Sequence, residues 1–432
     1  MKIRGFKHGG IDSMHRVSFE AKSIENAFLP LNALISLRNG PGLAEAEAVV
    51  KLGDQVLEGQ LLARSTGANS SNMHSSIPGI VRRITQIKDA GSFDSLAIKI
   101  SLDGSFSVLG KRPERYRWKA LNKGDIGYLA QDKGVVRVST GEPLYPALSK
   151  MSVKQEYTLI LNVLELDPYS RVEESLFRLR TMDVLDGCAI AARISKPSRI
   201  IIAIDERYSA KTLSKIREAI DSCELDAKLQ LFKHKIPQDH PRQLALALGI
   251  NKDDIFIVEP SSLISLHEAI VSNKPHIEQY VFVGGGAIKH PAVLKARIGS
   301  PIGDLIEECG GFTSKPYTIV LNNPFTGRAA PDLDCAVGKT TRAILALTES
   351  EAKPAPERPC IRCSDCYEVC PAGLKPFLLH KLIQLGKIGE AKAIGLDRCI
   401  SCGACAYICS SRIALVSIFD TAKKADKDRG QN

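Results

Sequence analysis

The chain has 432 residues, of which 44% are hydrophobic and 25% charged, and 58 Lys and Arg against 48 Asp and Glu give a formal net charge of +10. No apolar run approaches the roughly 20 residues of a membrane-spanning helix, and no nucleic-acid-binding motif accompanies the basic balance, so both of those classes are set aside. The length suggests about three or four domains. The opening MKIRGFKHGGIDSMHR lacks an apolar secretory core, which leads us to expect a cytoplasmic protein.

Residues 1–115 read as short strands and turns. VVKLGDQVLEGQLLAR (49–64) alternates around Gly53-Asp54 and Glu58-Gly59, and IPGIVRRITQI (77–87) and SLAIKISLDG (95–104) continue the pattern. This resembles the barrel-sandwich domain of lipoyl and biotinyl carriers. The segment where such carriers present their modified lysine, SSNMHSSIPG (70–79), has no lysine, so we read the domain as structural and His74 as a turn residue. Residues 116–260 alternate strand and helix. The strand candidates are 157–165, 198–205, 227–234 and 254–260; the helix candidates are 170–180, opened by a capping box of Ser170 and Glu173, and 209–222. That alternation predicts a Rossmann-like, mostly parallel sheet covered by helices. Residues 261–345 carry a helix (263–271), a strand pair (280–299) and a second helix (301–311), a small α+β unit. Within it Gly284-Gly285-Gly286 reads as a hairpin turn, since the full dinucleotide fingerprint would need glycine where Lys289 stands. VGKTTR (337–342) imitates a P-loop, but Leu333 occupies the first glycine position.

A proline-rich linker, SEAKPAPERP (350–359), leads into the region 346–420. There Cys360, Cys363, Cys366 and Cys370, followed by Pro371, form one run, and Cys399, Cys402, Cys405 and Cys409 form a second. Each run reads C-x₂-C-x₂-C-x₃-C, the spacing of a [4Fe–4S] cluster pair in which the fourth thiolate of each run serves the other cube. Cys360, Cys363, Cys366 and Cys409 are therefore expected to hold one cluster, and Cys399, Cys402, Cys405 and Cys370 the other. Disulfides would need an oxidising compartment, and zinc usually takes paired CxxC units. The apolar spacing over 375–395 predicts a helix between the runs, and residues 421–432 read as a disordered tail. Cys188, Cys223, Cys309 and Cys335 are scattered and read as buried apolar thiols.

In order, FKHGGID (6–12), VKLGDQVLEGQLLA (50–63), IPQDHPRQL (236–244), VFVGGGAIKHP (281–291), IGSPIGDLIEECGG (298–311) and the two cysteine blocks make the chain similar, over nearly its whole length, to the C subunit of Rnf-type membrane electron-transport complexes. The resemblance implies a multidomain α+β fold: a barrel-sandwich domain, a Rossmann-like domain related to the flavin subunit of NADH dehydrogenases, a β-grasp domain of the soluble ligand-binding type, and a helical two-cluster ferredoxin domain. It implies transfer of electrons between a soluble carrier, NADH or ferredoxin, and membrane subunits. Association with the cytoplasmic face of the inner membrane would be peripheral. It also implies FMN, yet the family's glycine-rich flavin loop is here RVSTGEPLYPALSK (137–150), which keeps Gly141, Tyr145, Pro146 and Lys150. The next family block is here NVLELDPY (162–169). Lys150, Asn162, Glu165 and Asp167 are the candidates for a residual FMN pocket. The electron-carrying end is intact and the flavin end is eroded, which leaves FMN and direct NADH oxidation in doubt. A flavin-dependent cobalamin reductase of the microcompartment type and a non-catalytic redox scaffold are the alternatives.

Overall fold

The computed structural model describes residues 2–12, 19, 21–88, 94–103, 115–352 and 355–429. The stretch KRPERYRWK (111–119) is strongly basic; its residues 111–114, and residues 430–432, lie outside the described residues. The fold is multidomain α+β.

Strand β1 (Glu25–Asn26) leads to β2 (Asn32–Ser36), β3 (Glu47–Ala48), β4 (Gln55–Val56), β5 (Leu61–Arg64), β6 (Met73–His74), β7 (Gly79–Lys88) and β8 (Asp94–Leu102). Strands β2 to β8 make two small antiparallel sheets, β2-β8-β7-β4 and β3-β5-β6. Ile35, Leu37, Leu62, Met73, Ile77, Val81, Ile98 and Ile100 close the space between them. Gly53 and Gly59 take left-handed backbone in the turns expected there. His74 sits in a short strand, not a turn. Burial presses its imidazole down to about 3, so it is neutral near pH 7.

Next come α1 (Lys123–Asp132), α2 (Leu144–Met151), β9 (Thr158–Asn162), α3 (Val172–Leu179), α4 (Thr181–Ser195), β10 (Arg199–Asp205), α5 (Ala210–Ser222), β11 (Ala227–Phe232), α6 (Pro241–Leu248), β12 (Ile255–Val258) and α7 (Pro260–Val271). The four strands are parallel in the order β11-β10-β9-β12. Their near-continuous apolar runs reflect burial on both faces. Ser209 caps α5, whose Ile216 and Ile220 face inward. Leu263, Ile264, Leu266, Ala269 and Ile270 of α7 share one core with α4, the parallel sheet and Tyr280, Phe282 and Leu345. Gly187 permits this, since a Cβ there would sit 2.3 Å from the Leu263 carbonyl oxygen.

The third unit holds β13 (Glu278–Gly284), β14 (Ala292–Arg297), α8 (Ile302–Glu308), β15 (Thr318–Leu321), β16 (Arg328–Ala329) and β17 (Ala343–Leu347). With β1 they make a mixed sheet ordered β1-β14-β13-β17-β15-β16. Gly285 turns the β13–β14 hairpin against β17, where a Cβ would lie 2.3 Å from the Ala346 carbonyl oxygen. After α9 (Glu349–Ala352) the last unit is helical: α10 (Asp365–Glu368), α11 (Pro376–Gln384), α12 (Ile388–Ala393), α13 (Ala404–Ile408) and α14 (Leu415–Arg429). The helix expected over 375–395 is broken at Gly386, whose φ is +71°. Of the tail expected to be disordered, residues 421–429 continue α14. Phe419 and Ala422 are buried and Lys423 donates to the Cys399 carbonyl, so this turn is tied to the second cysteine run.

Candidate functional site

The two cysteine runs fold alike. In each, the residue two after the first cysteine (Arg362, Ser401), the residue after the second (Ser364, Gly403) and the residue three after the fourth (Gly373, Arg412) have positive φ. Left-handed backbone at non-glycine residues costs on the order of 1 kcal/mol or more each, and its recurrence at matched positions marks a shape both runs require. That shape curls each run around its own cavity. Cys360, Cys363, Cys366 and Cys409 line one, of ≈ 390 Å³ with some of it open to solvent, walled by Phe377, Ile413 and Leu415. Cys370, Cys399, Cys402 and Cys405 line the other, of ≈ 350 Å³ with some of it open to solvent, walled by Leu374, Pro376, Val416 and Phe419. Cys409 thus lines the cavity of the first run and Cys370 that of the second. Cys360 and Cys363 are exposed, whereas Cys370 and Cys405 are buried.

Burial raises the thiols of Cys366, Cys370 and Cys405, and pushes Cys402 up to about 11. Neighbouring thiolates raise them further: Cys363, Cys360 and Cys409 act on Cys366, Cys399 acts on Cys370, and Cys402, Cys399, Cys370 and Cys366 act on Cys405. Backbone N–H groups oppose this. The Leu374 amide lies 3.4 Å from Cys370 Sγ, and the Ala404 and Phe377 amides act on Cys402 and Cys366. Four thiols crowded in an apolar pocket favour ionisation only together with a bound cation. Among the described residues no three His, Cys, Asp or Glu side chains form a site for a single metal ion. Each quartet surrounds a cavity instead, which fits an iron–sulfur cube better than one zinc.

A larger cleft lies beyond the C-terminal ends of β9 and β12, where open α/β sheets place their ligands. It reaches from Arg137, Ser139 and Thr140 to the loop Asn322–Thr326 and to Ile400, Ser401 and Cys402, so it borders the second quartet. Phe325 of that loop stacks edge-on against Tyr407, ring centres 5.4 Å apart. Asn162, Glu165 and Asp167 line the cleft; Lys150 does not, being exposed on the last turn of α2. All three acidic or amide side chains have local partners. Asn162 Oδ1 accepts from the Leu164 amide at 3.2 Å. Glu165 accepts from the Ser170 hydroxyl at 2.6 Å and from the amides of Val172 and Glu174, so it caps α3. Asp167 accepts from the amides of Tyr169 and Ser170 at 2.8 and 3.0 Å. The capping box expected from Ser170 and Glu173 does not form, because Glu165 takes that role and Glu173 turns inward to Ser261.

The cleft does not suit the phosphate of FMN. Gly141, the one glycine kept in the loop, faces another domain: a Cβ there would sit 2.4 Å from the Asn39 carbonyl oxygen. Arg137 pairs with Glu142 at 2.7 Å. Leu164 and Leu166 are buried beside the strand exit. Glu165, Asp167, Glu173, Asp239 and Glu259 surround Arg342. Burial pushes Asp167 and Asp239 up to about 6 and Glu173 up to about 7. A dianionic phosphate would add to a surplus of negative charge there. Sequence reasoning missed Glu173 as a cleft residue, and Arg342 and Lys339 hid in the stretch read as a P-loop imitation. Lys339 is buried and donates to Gly134 O at 2.7 Å, Asn72 O at 2.9 Å and Ser71 Oγ at 3.4 Å, which leaves it no role toward a nucleotide.

The RnfC barrel sandwich hybrid domain model matches residues 5–105, the Nuo51 FMN-binding domain model 133–252, the SLBB domain model 280–328 and the 4Fe-4S dicluster domain model 355–410. The C subunit of the ion-translocating oxidoreductase complex of Rhodobacter capsulatus is 32% identical over 91% of this chain and 78% of that protein. The chain belongs to this family of C subunits. A further relative is the C subunit of the proton-translocating ferredoxin:NAD(+) oxidoreductase complex of Clostridium ljungdahlii, 28% identical over 90% of this chain and 87% of that protein. The C subunit of the ion-translocating oxidoreductase complex of Pasteurella multocida is 27% identical over 98% of this chain and 52% of its own length. An NAD+-reducing [NiFe]-hydrogenase aligns with a TM-score of 0.44 and 13% identity over 73% of this chain and 67% of that chain, a likeness too loose to carry an inference. Among the described residues no helix is long and apolar enough to cross a membrane.

Proposed function

We propose that this member of the family is the iron–sulfur electron-transfer subunit of an Rnf-type complex, in which Cys360, Cys363, Cys366 and Cys409 hold one [4Fe–4S] cluster and Cys399, Cys402, Cys405 and Cys370 hold the other. The observation that carries the reading is the sorting of eight thiols around two separate cavities, with the fourth cysteine of each run exchanged. Each cluster, when bound, supplies a one-electron carrier. The chain's own residues hold the thiolates, shield the second quartet from water with Leu374, Val416 and Phe419, and aim amide N–H groups at sulfur, which raises the potential. Exposure of Cys360 and Cys363 makes the first quartet the natural point of exchange with another protein. We take the partners to be a soluble redox carrier and membrane subunits, with peripheral attachment on the cytoplasmic face of the inner membrane. The central unit reads as a Rossmann-like domain and the third as a β-grasp domain.

No step is assigned to FMN, because the cleft residues do not fit it. That mismatch also weighs against a flavin-dependent cobalamin reductase. Anaerobic reconstitution followed by iron, sulfide and flavin assays on one sample tests the reading. We expect about eight iron and no flavin per chain. About four iron or fewer would overturn the two-cluster assignment, and stoichiometric FMN would overturn the reading of the cleft.

A further inference from the structure

The N-terminal segment leaves the edge of the central sheet, touches the cluster domain and returns. Arg4 pairs with the β11 edge, its amide on Leu231 O at 3.0 Å and its carbonyl accepting from Lys233 at 2.8 Å. The Phe6 amide donates to Gln238 Oε1 at 3.1 Å, and the Phe6 ring is buried beneath Lys235. Ile11 exchanges two backbone bonds with Ile236, at 3.0 and 3.1 Å. Both feet of this bracket therefore stand on the central domain. Its apex, His8 to Gly10, reaches the turn that carries Cys370. The His8 ring meets Tyr367 edge-on, with centres 5.5 Å apart, and the Gly10 amide donates to Val369 O at 2.8 Å. Gly9 lies flat on the ligand's own backbone: a Cβ there would be 2.5 Å from both the carbonyl carbon and oxygen of Cys370 and 2.8 Å from the Pro371 nitrogen.

Cys370 is the one thiol that leaves the first run to line the second cavity. Its sulfur is reached by the Leu374 amide, so its direction depends on where the turn 370–374 stands. We propose that Gly9 is a positioning residue for the second cluster, acting through the Cys370–Pro371 backbone; this rests on the ligand assignment given above. Both glycines have positive φ, +70° and +87°, and the close approach at Gly9 is to backbone, which cannot swing aside as a side-chain tip does. Any larger residue at position 9 must push the Cys370 turn away from the bracket. The first quartet draws on Cys360, Cys363, Cys366 and Cys409, whereas the backbone pressed against Gly9 is that of Cys370 and Pro371.

The test compares wild type, Gly9→Ala and Gly53→Ala after anaerobic reconstitution of the full chain. Gly53 is the control for positive φ alone: its φ is +89° and nothing lies within 4 Å of a Cβ there. Iron content, the paramagnetic signals of the dithionite-reduced protein and the rate of cluster loss to a chelator are read together. The signal absent from Cys399→Ser identifies the second cluster. We expect Gly9→Ala either to fall to about four iron with the second signal gone or to lose that cluster about 10- to 100-fold faster, the first cluster being unchanged. Gly53→Ala should match wild type. Two clusters of wild-type signal and wild-type lability in Gly9→Ala would overturn the proposal, and so would equal weakening of both clusters. Should Gly9→Ala fail to fold, His8→Ala decides, because it removes the contact with Tyr367 and adds no strain: severalfold faster loss of the second cluster alone supports the bracket, and an unchanged rate overturns it. A wild type without clusters would instead remove the ligand assignment itself.

Discussion

Lys339 joins three units through one ammonium, and its replacement by methionine should change how stability depends on pH. Its Nζ donates to Asn72 O and Ser71 Oγ of the N-terminal domain and to Gly134 O beyond α1, and burial brings it down from 10.5 to about 7. At about 1.4 kcal/mol per pH unit that displacement is worth about 5 kcal/mol. The three oxygens favour the charged form, so we expect about 2–4 kcal/mol to be expressed. The sign follows from proton counting. Between about pH 7 and 10.5 the unfolded chain keeps a proton the folded chain releases, so stability rises with pH across that window and lies lowest below it. Lys339→Met keeps the volume and cannot titrate. Urea midpoints followed by far-UV circular dichroism at about pH 6.5 and about pH 9.5 should show wild type gaining about 2–4 kcal/mol over the variant between the two conditions. A difference that stays flat across that range would refute the reasoning and place the titration of Lys339 outside the window.

Glu173→Gln should act with the opposite slope. Burial raises the Glu173 carboxyl from 4.5 to about 7, so the folded chain holds a proton that the unfolded chain loses, and wild-type stability falls as pH rises between those values. Relative to the glutamine variant, wild type should lose up to about 3 kcal/mol between about pH 5 and 8, read from the same denaturation curves. Phe419 is buried against the second quartet, and Phe419→Ala should cost about 3–5 kcal/mol and shorten the lifetime of that cluster in air, measured by loss of visible absorbance.

Much of this was readable from the chain because the informative signals are local. The cysteine spacing grouped the thiols as they line the two cavities, since each quartet depends on residues within one run plus one thiol. The apolar runs of β9, β10 and β12 announced a parallel sheet. What escaped depends on contacts distant in sequence. Ser170 and Glu173 look like a capping box until Glu165 competes for the same amides and Ser261 claims Glu173. Gly386 breaks the helix inside an apolar stripe whose spacing continues on both sides of it. The family block 162–169 kept its polar residues, but their hydrogen bonds hold a loop, and the glycine left at position 141 serves domain packing.

The central claim is that each cluster takes three thiols from one run and one from the other. The direct measurement is electron paramagnetic resonance of the dithionite-reduced variants Cys370→Ser, Cys402→Ser and Cys363→Ser, each in the full chain. The account predicts that Cys370→Ser and Cys402→Ser perturb the same signal while Cys363→Ser perturbs the other. Shared loss between Cys370→Ser and Cys363→Ser, with Cys402→Ser standing apart, would contradict it.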